Sequence, residues 1–130
     1  MGKVAIFDDE QVRTFEFDED TDVDLLFLTK EDALKLSKEV EKIVNRTGGD
    51  FSVIWNQKLG EKVIRGWRNR FNADHPGFVM PDGAPIQFTP ENRDMMMKRN
   101  REFSLFVGEN AVNAKEFIDR ARERSETKND

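Results

Sequence analysis

Cysteine is absent from this 130-residue chain, tyrosine is absent too, and histidine occurs once, as His75. The first absence excludes disulfides, thiolate nucleophiles and cysteine–zinc sites together. A single histidine removes most candidates for a general base poised near neutral pH, so no enzymatic activity is expected. Uninterrupted apolar runs are short: Leu25–Leu28 reaches four residues, far below the ~18 that a membrane-spanning helix needs. The start, Met1-Gly2-Lys3-Val4, leads quickly into acidic residues and lacks the apolar core of a signal peptide. A soluble, intracellular chain is expected, with no membrane partner and no cofactor.

What the chain has in abundance is charge. Charged residues make up 36%, against about 25% in an average soluble domain. Hydrophobic residues reach 37%, and eleven phenylalanines are among them, which is too apolar for a wholly disordered chain. The length suits one domain with a modest core. The net charge of −5 is spread unevenly. Residues 1–28 hold nine acids against Lys3 and Arg13, while residues 29–130 hold nineteen basic and seventeen acidic residues. With an acidic first segment and a balanced body, nucleic-acid binding would have to rest on a local patch.

Lys3–Phe7 and Val12–Phe17 read as short strands joined by Asp8-Asp9-Glu10-Gln11, with Phe15 and Phe17 on one face. Asp22–Leu28 offers a third strand with Val23, Leu25 and Phe27 on one side. Thr29-Lys30-Glu31-Asp32 matches a helix capping box, and Ala33, Leu36, Val40 and Ile43 follow at helical spacing until Gly48-Gly49. Asp50 caps a second helix, along which Phe51, Trp55, Leu59, Val63 and Trp67 step by four. Gly60 and Gly66 fall within that stripe, and the glycine before Trp67 could admit a close helix approach or simply lower stability. Residues 72–88, with three prolines and two glycines, read as irregular. Thr89-Pro90-Glu91 opens a third helix, and Asn100 caps a fourth that carries Phe103, Phe106 and Val107 and runs to Ala121. The expected fold is α+β and mainly α: a small N-terminal antiparallel β element, then about four helices. One domain spans residues 1–121, and residues 122–130 form a polar, frayed tail.

Several constellations invite chemistry. Asp18, Asp20 and Asp22 take the first, third and fifth positions of a calcium loop, but Val23 and Thr29 stand where glycine and glutamate are needed. An acidic turn before a strand is the better reading. His75 has no second histidine or specified nucleophile beside it, so neither a catalytic nor a metal site is expected. Lys58, Lys62, Arg65, Arg68 and Arg70 form a basic patch opposed only by Glu61. It could track phosphates, or complement helix C-termini and the acidic first segment instead. Met95-Met96-Met97 offers adaptable side chains, and three consecutive helical residues cannot all face one core.

The order of motifs is more specific than any one of them. Val63-Ile64-Arg65-Gly66-Trp67 precedes a loop, then Asp82-Gly83-Ala84-Pro85-Ile86-Gln87-Phe88-Thr89-Pro90, a methionine-rich helix and a last helix from Phe103. Over roughly residues 5–120 this resembles the tail assembly chaperones of long-tailed, siphophage-type bacteriophages. It departs from them at Met95–Met97, where aliphatic residues are common, and in the length of its Trp67–Asp82 loop. The resemblance implies a non-enzymatic morphogenesis factor in the infected host's cytoplasm, left out of the mature virion. Such chaperones coat the long helical tape measure protein, recruit tail tube subunits and self-associate. Trp55, Trp67, Met95, Met96, Met97, Phe103 and Phe106 are the candidate client or self-interface residues. The alternatives are a small nucleic-acid-binding protein using the Lys58–Arg70 patch, and a head–tail completion protein of the virion.

Overall fold

Each helix begins where a short polar side chain turns back onto the free N–H groups of its first turn. In the computed structural model, which describes residues 11–113 and Phe117, the helices are α1 (Lys30–Thr47), α2 (Phe51–Val63), α3 (Pro90–Arg99) and α4 (Arg101–Ala111). Thr29 Oγ1 accepts from Asp32 N at 3.0 Å and Asp50 Oδ1 from Val53 N at 3.1 Å. Thr89 Oγ1 accepts from Asn92 N at 3.1 Å, and Asn100 Oδ1 from Phe103 N at 3.0 Å. Pro90 opens α3, where its missing N–H costs nothing. Gly48 closes α1 at φ 72°, donating its N–H to Val44 O at 2.8 Å. The last helix stops at Ala111, short of the expected Ala121, although Phe117 beyond it is helical and buried. The expected tail, residues 122–130, lies outside the described residues, as does the strand expected at Lys3–Phe7.

Three strands, β1 (Val12–Glu16), β2 (Thr21–Leu26) and β3 (Ile64–Asn69), form an antiparallel sheet in that order. The β1–β2 hairpin turns over Phe17–Asp20, where Asp18 Oδ1 accepts from Asp20 N at 2.9 Å and Thr21 N at 2.8 Å. One carboxylate of the acidic stretch thus builds the turn. Helices α1 and α2 are inserted between β2 and β3.

The second helix is shorter than its four-step stripe suggests. It ends at Val63, and the chain passes without a loop residue into β3, so Gly66 and Trp67 belong to the sheet. Ile64 and Trp67, three apart, would face opposite sides of a regular strand. Leu25 pairs with Ile64 and Asp24 with Gly66, which leaves Arg65 as the extra residue of a β-bulge. The bulge returns both Ile64 and Trp67 to the core, 3% and 5% exposed. A Cβ at Gly66 would meet only Asp24 Oδ2, at 3.5 Å, so no helix approaches there. The close approach is at Gly60, where a Cβ would lie 2.8 Å from Met97 Cγ and hold α2 off α3.

The core joins the inner sheet residues Phe15, Val23, Leu25 and Trp67 to Leu36, Leu59, Val63, Met96, Met97, Phe103 and Val107 of the helices. Phe103 is fully buried and meets the rings of Phe17, Trp67 and Phe78 edge-on, at centroid distances of 5.7, 5.9 and 5.3 Å. The irregular segment after β3 wraps Trp67: its Nε1 donates to Ile86 O at 2.9 Å, and Phe88 meets its ring at 4.9 Å. The Gly-Trp step and the Pro-Ile-x-Phe segment, separate in the sequence, are therefore one structural unit.

On the outer face of the sheet, Arg68 Nη1 donates to Asp24 Oδ2 at 2.7 Å, and Thr14 Oγ1 donates to Asp24 Oδ1 at 2.6 Å. The hydrogen bond that Arg68 donates to Asp24 raises the Arg68 pKa above its ordinary value more than burial lowers it, so the guanidinium stays charged. Because both side chains remain partly solvated, Asp24→Ala is expected to cost only about 1 kcal/mol. Urea unfolding checks this, and the difference from the parent should shrink as salt is raised.

Candidate functional site

An open groove of about 490 Å³ lies where α1, α2 and α4 meet. Its walls are Phe51 and Trp55 from α2 and Leu105 from α4, with Ser37 and Ser104 between them and Arg101 at the rim. Phe51 and Trp55 continue the stripe of Leu59 and Val63 past the edge of the core, with Trp55 still partly packed against it. Phe51 and Trp55, one helical turn apart, stack with rings 6.2 Å apart and 9° from parallel. Leu105 stands between the core residues Phe103 and Val107 yet is 55% exposed, on the other side of α4. Ser104 is buried, and its hydroxyl donates to Arg101 O at 3.0 Å, so it leaves no unmet donor beneath the groove. A trough lined by two aromatic rings and a leucine, with three serines, an asparagine and an arginine among them, suits the apolar stripe of a helix.

A second groove, of about 330 Å³, is bounded by Val79, Met80, Ile86, Met95, Met96 and Arg99. Met95 and Arg99 also line a third, between α2 and α3, which carries more charged residues and includes Val53, Gln57, Glu91, Asp94 and Lys98. All three grooves converge on the α3–α4 corner around residues 95–101.

Of the residues expected at an interface, Trp55 walls the first groove and Met95 is shared by the other two. Met96 touches the second groove but is only 6% exposed. Trp67, Met97 and Phe103 are core: β3 turns Trp67 inward, and Met97 and Phe103 pack against the sheet-side cluster. Phe106 is half-buried, its ring 5.1 Å from that of Phe17. Two of the three consecutive methionines are buried, and Gly60 leaves room for one of them, Met97. Leu105 is not among the expected interface residues, and Phe51 enters the expectation only as part of a helical stripe. The available signal was an apolar residue out of phase with Phe103, Phe106 and Val107.

The basic patch does not form one face. The α2–β3 boundary splits it, and three members are neutralised within the chain. Lys58 Nζ lies 3.4 Å from Glu61 and 3.9 Å from Glu39, and Arg68 binds Asp24. Arg70 Nε donates to Asp22 Oδ1 at 2.9 Å, while its Nη atoms donate to Glu19 O at 2.6 Å and Asp18 O at 2.8 Å. Lys62 and Arg65 remain exposed. His75 Nδ1 accepts from Gly77 N at 2.9 Å, a loop-building contact.

No family model, curated protein or solved structure matches this chain. Among the described residues, no helix is long and apolar enough to cross a membrane, and no group of three or more His, Cys, Asp or Glu could hold a metal ion.

Proposed function

We propose that this chain is a non-enzymatic tail assembly chaperone of the long-tailed phage type, acting in the infected cell and absent from the finished virion. It shields the apolar stripe of the tape measure protein in the Phe51–Trp55–Leu105 groove and leaves other surfaces to recruit tail tube subunits. The observation that carries the reading is this solvent-open trough, in which Phe51 and Leu105 stay exposed beside the half-buried Trp55. Support also comes from the motif order, whose two most distinctive segments meet at Trp67 and Ile86. A long helix with exposed apolar stripes aggregates alone, and a helix-in-groove partner removes that surface from water.

Co-expression with the tape measure protein of the same genome tests it. The expected result is a soluble, stoichiometric complex that fails to form without this chain. Leu105→Asp should weaken that complex by about tenfold or more, with unchanged thermal stability, because the side chain is a groove wall and not core. An insoluble tape measure protein in both cases, with this chain eluting alone, would overturn the reading.

A further inference from the structure

Phe71 is the most exposed large apolar side chain described, at 77%. It is held out by construction: Asn69 Oδ1 accepts from both Phe71 N at 2.9 Å and Asn72 N at 3.0 Å, fixing the turn beneath it. The Arg70 guanidinium lies 5.9 Å from its ring centroid while binding the carbonyls of Asp18 and Glu19. Arg70 thereby ties the β1–β2 hairpin tip to the Phe71 loop. The result is an aromatic knob beside exposed Asp18, Glu19, Asp20 and Asp74. A phenylalanine displayed so rigidly among acids is not explained by the core or by the client groove.

Its chemical complement is on the same chain. The groove bounded by Val79, Met80, Ile86, Met95 and Met96 is apolar, methionine-rich and edged by Arg99, with no acid among its lining residues. Lys98 and Arg101 flank Arg99 in the sequence, all three are exposed, and among the described residues none of them makes an ion pair. Methionines re-pack readily around an inserted ring, and sulfur–aromatic contacts favour it.

We propose that the Phe71 knob of one copy docks into the Met95–Ile86 groove of a second copy, its acidic collar against Lys98 and Arg99. The two surfaces differ, so the contact is heterologous, and chains add head to tail instead of closing as a two-fold dimer. One knob covers less than the ~1,600 Å² of a standard interface, so each contact is weak and assembly depends on concentration. This inference fixes the surfaces of self-association and stands independently of what fills the Phe51–Trp55–Leu105 groove.

Sedimentation of the full chain tests it without any client. The wild type should show a mass that rises with concentration, and association should weaken by about tenfold or more as salt goes from ~0.1 M to ~1 M, where the screening length falls from ~10 to ~3 Å. Phe71→Asp and Arg99→Glu should each be monomeric. Mixed one to one, they should form a dimer and nothing larger, since one retains the groove and the other the knob. That rescue also demonstrates that both variants are folded. A wild type that stays monomeric would overturn the proposal, as would variants that associate like the wild type, or a mixture that does not pair. A monomeric wild type whose Arg99→Glu variant loses the tape measure protein would assign the groove to the client instead. Leu105→Asp, which reads the client groove, should leave self-association unchanged.

Discussion

Trp67→Ala is expected to lower the unfolding free energy by about 3–5 kcal/mol, a large share of the ~5–15 kcal/mol that holds a typical domain together. The ring is 5% exposed and meets Phe78, Phe88 and Phe103 edge-on at 5.3, 4.9 and 5.9 Å. Its removal opens a cavity between the sheet and α4 and also strips the Ile86 carbonyl of its donor. Trp67→Phe separates the two effects. It keeps most of the apolar contact, loses the indole N–H and should cost about 1–3 kcal/mol. Urea unfolding followed by the remaining tryptophan, Trp55, reads both variants. Near-parental stability of Trp67→Ala would contradict the core placement.

Gly77→Ala is expected to be nearly as damaging, for a different reason. Gly77 sits at φ 89°, where a β-carbon costs about 1–2 kcal/mol on backbone grounds alone. That carbon would also lie 2.7 Å from Thr21 Cγ2 and 3.2 Å from the Arg68 carbonyl carbon. Thr21 is buried and β-branched, so it has few rotamers with which to yield. Overpacking of this kind adds about 1–3 kcal/mol. Gly83 supplies the control: it has φ 90°, but nothing within 4 Å of its would-be Cβ. Gly83→Ala should therefore show the backbone cost alone. Equal midpoint shifts for the two variants in thermal unfolding would remove the steric part of the argument.

Much of the fold is legible locally. Thr29, Asp50, Thr89 and Asn100 are caps whose partners lie three residues away, so short-range chemistry announces them. The hairpin strand holding Val23 and Leu25 shows in its alternation, with both side chains fully buried. The α2–β3 boundary is not legible in this way. Val63 to Trp67 is a four-residue step and Ile64 to Trp67 a three-residue step, the spacings of a helix face. What makes them compatible with a strand is the bulge at Arg65, and that is defined only by pairing with β2, about forty positions earlier in the chain. The site is only partly legible for a related reason. Apolar residues in phase mark the core, as Phe103 and Val107 do, but Phe51 and Trp55 continue the stripe of Leu59 and Val63 past the core's edge, and Leu105 lies out of phase on α4. The basic run from Lys58 to Arg70 misleads because its acidic partners, Asp22 and Asp24, lie on a neighbouring strand.

The direct passage from α2 to β3 makes some parts of this chain far less tolerant of length change than others. A residue added at the Gly48-Gly49 turn lengthens a connection and little else. A residue added between Gly60 and Gly66 has no connection to lengthen. Taken up by the strand, it would turn Trp67 toward water and Arg68 toward the core. Taken up by the helix, it would swing Phe51 and Trp55 around the α2 axis by about 100°, carrying one wall of the groove away from Leu105. Natural variants of this chain should therefore differ in length freely at the Gly48-Gly49 turn, and keep the count of residues from Trp55 to Trp67 fixed.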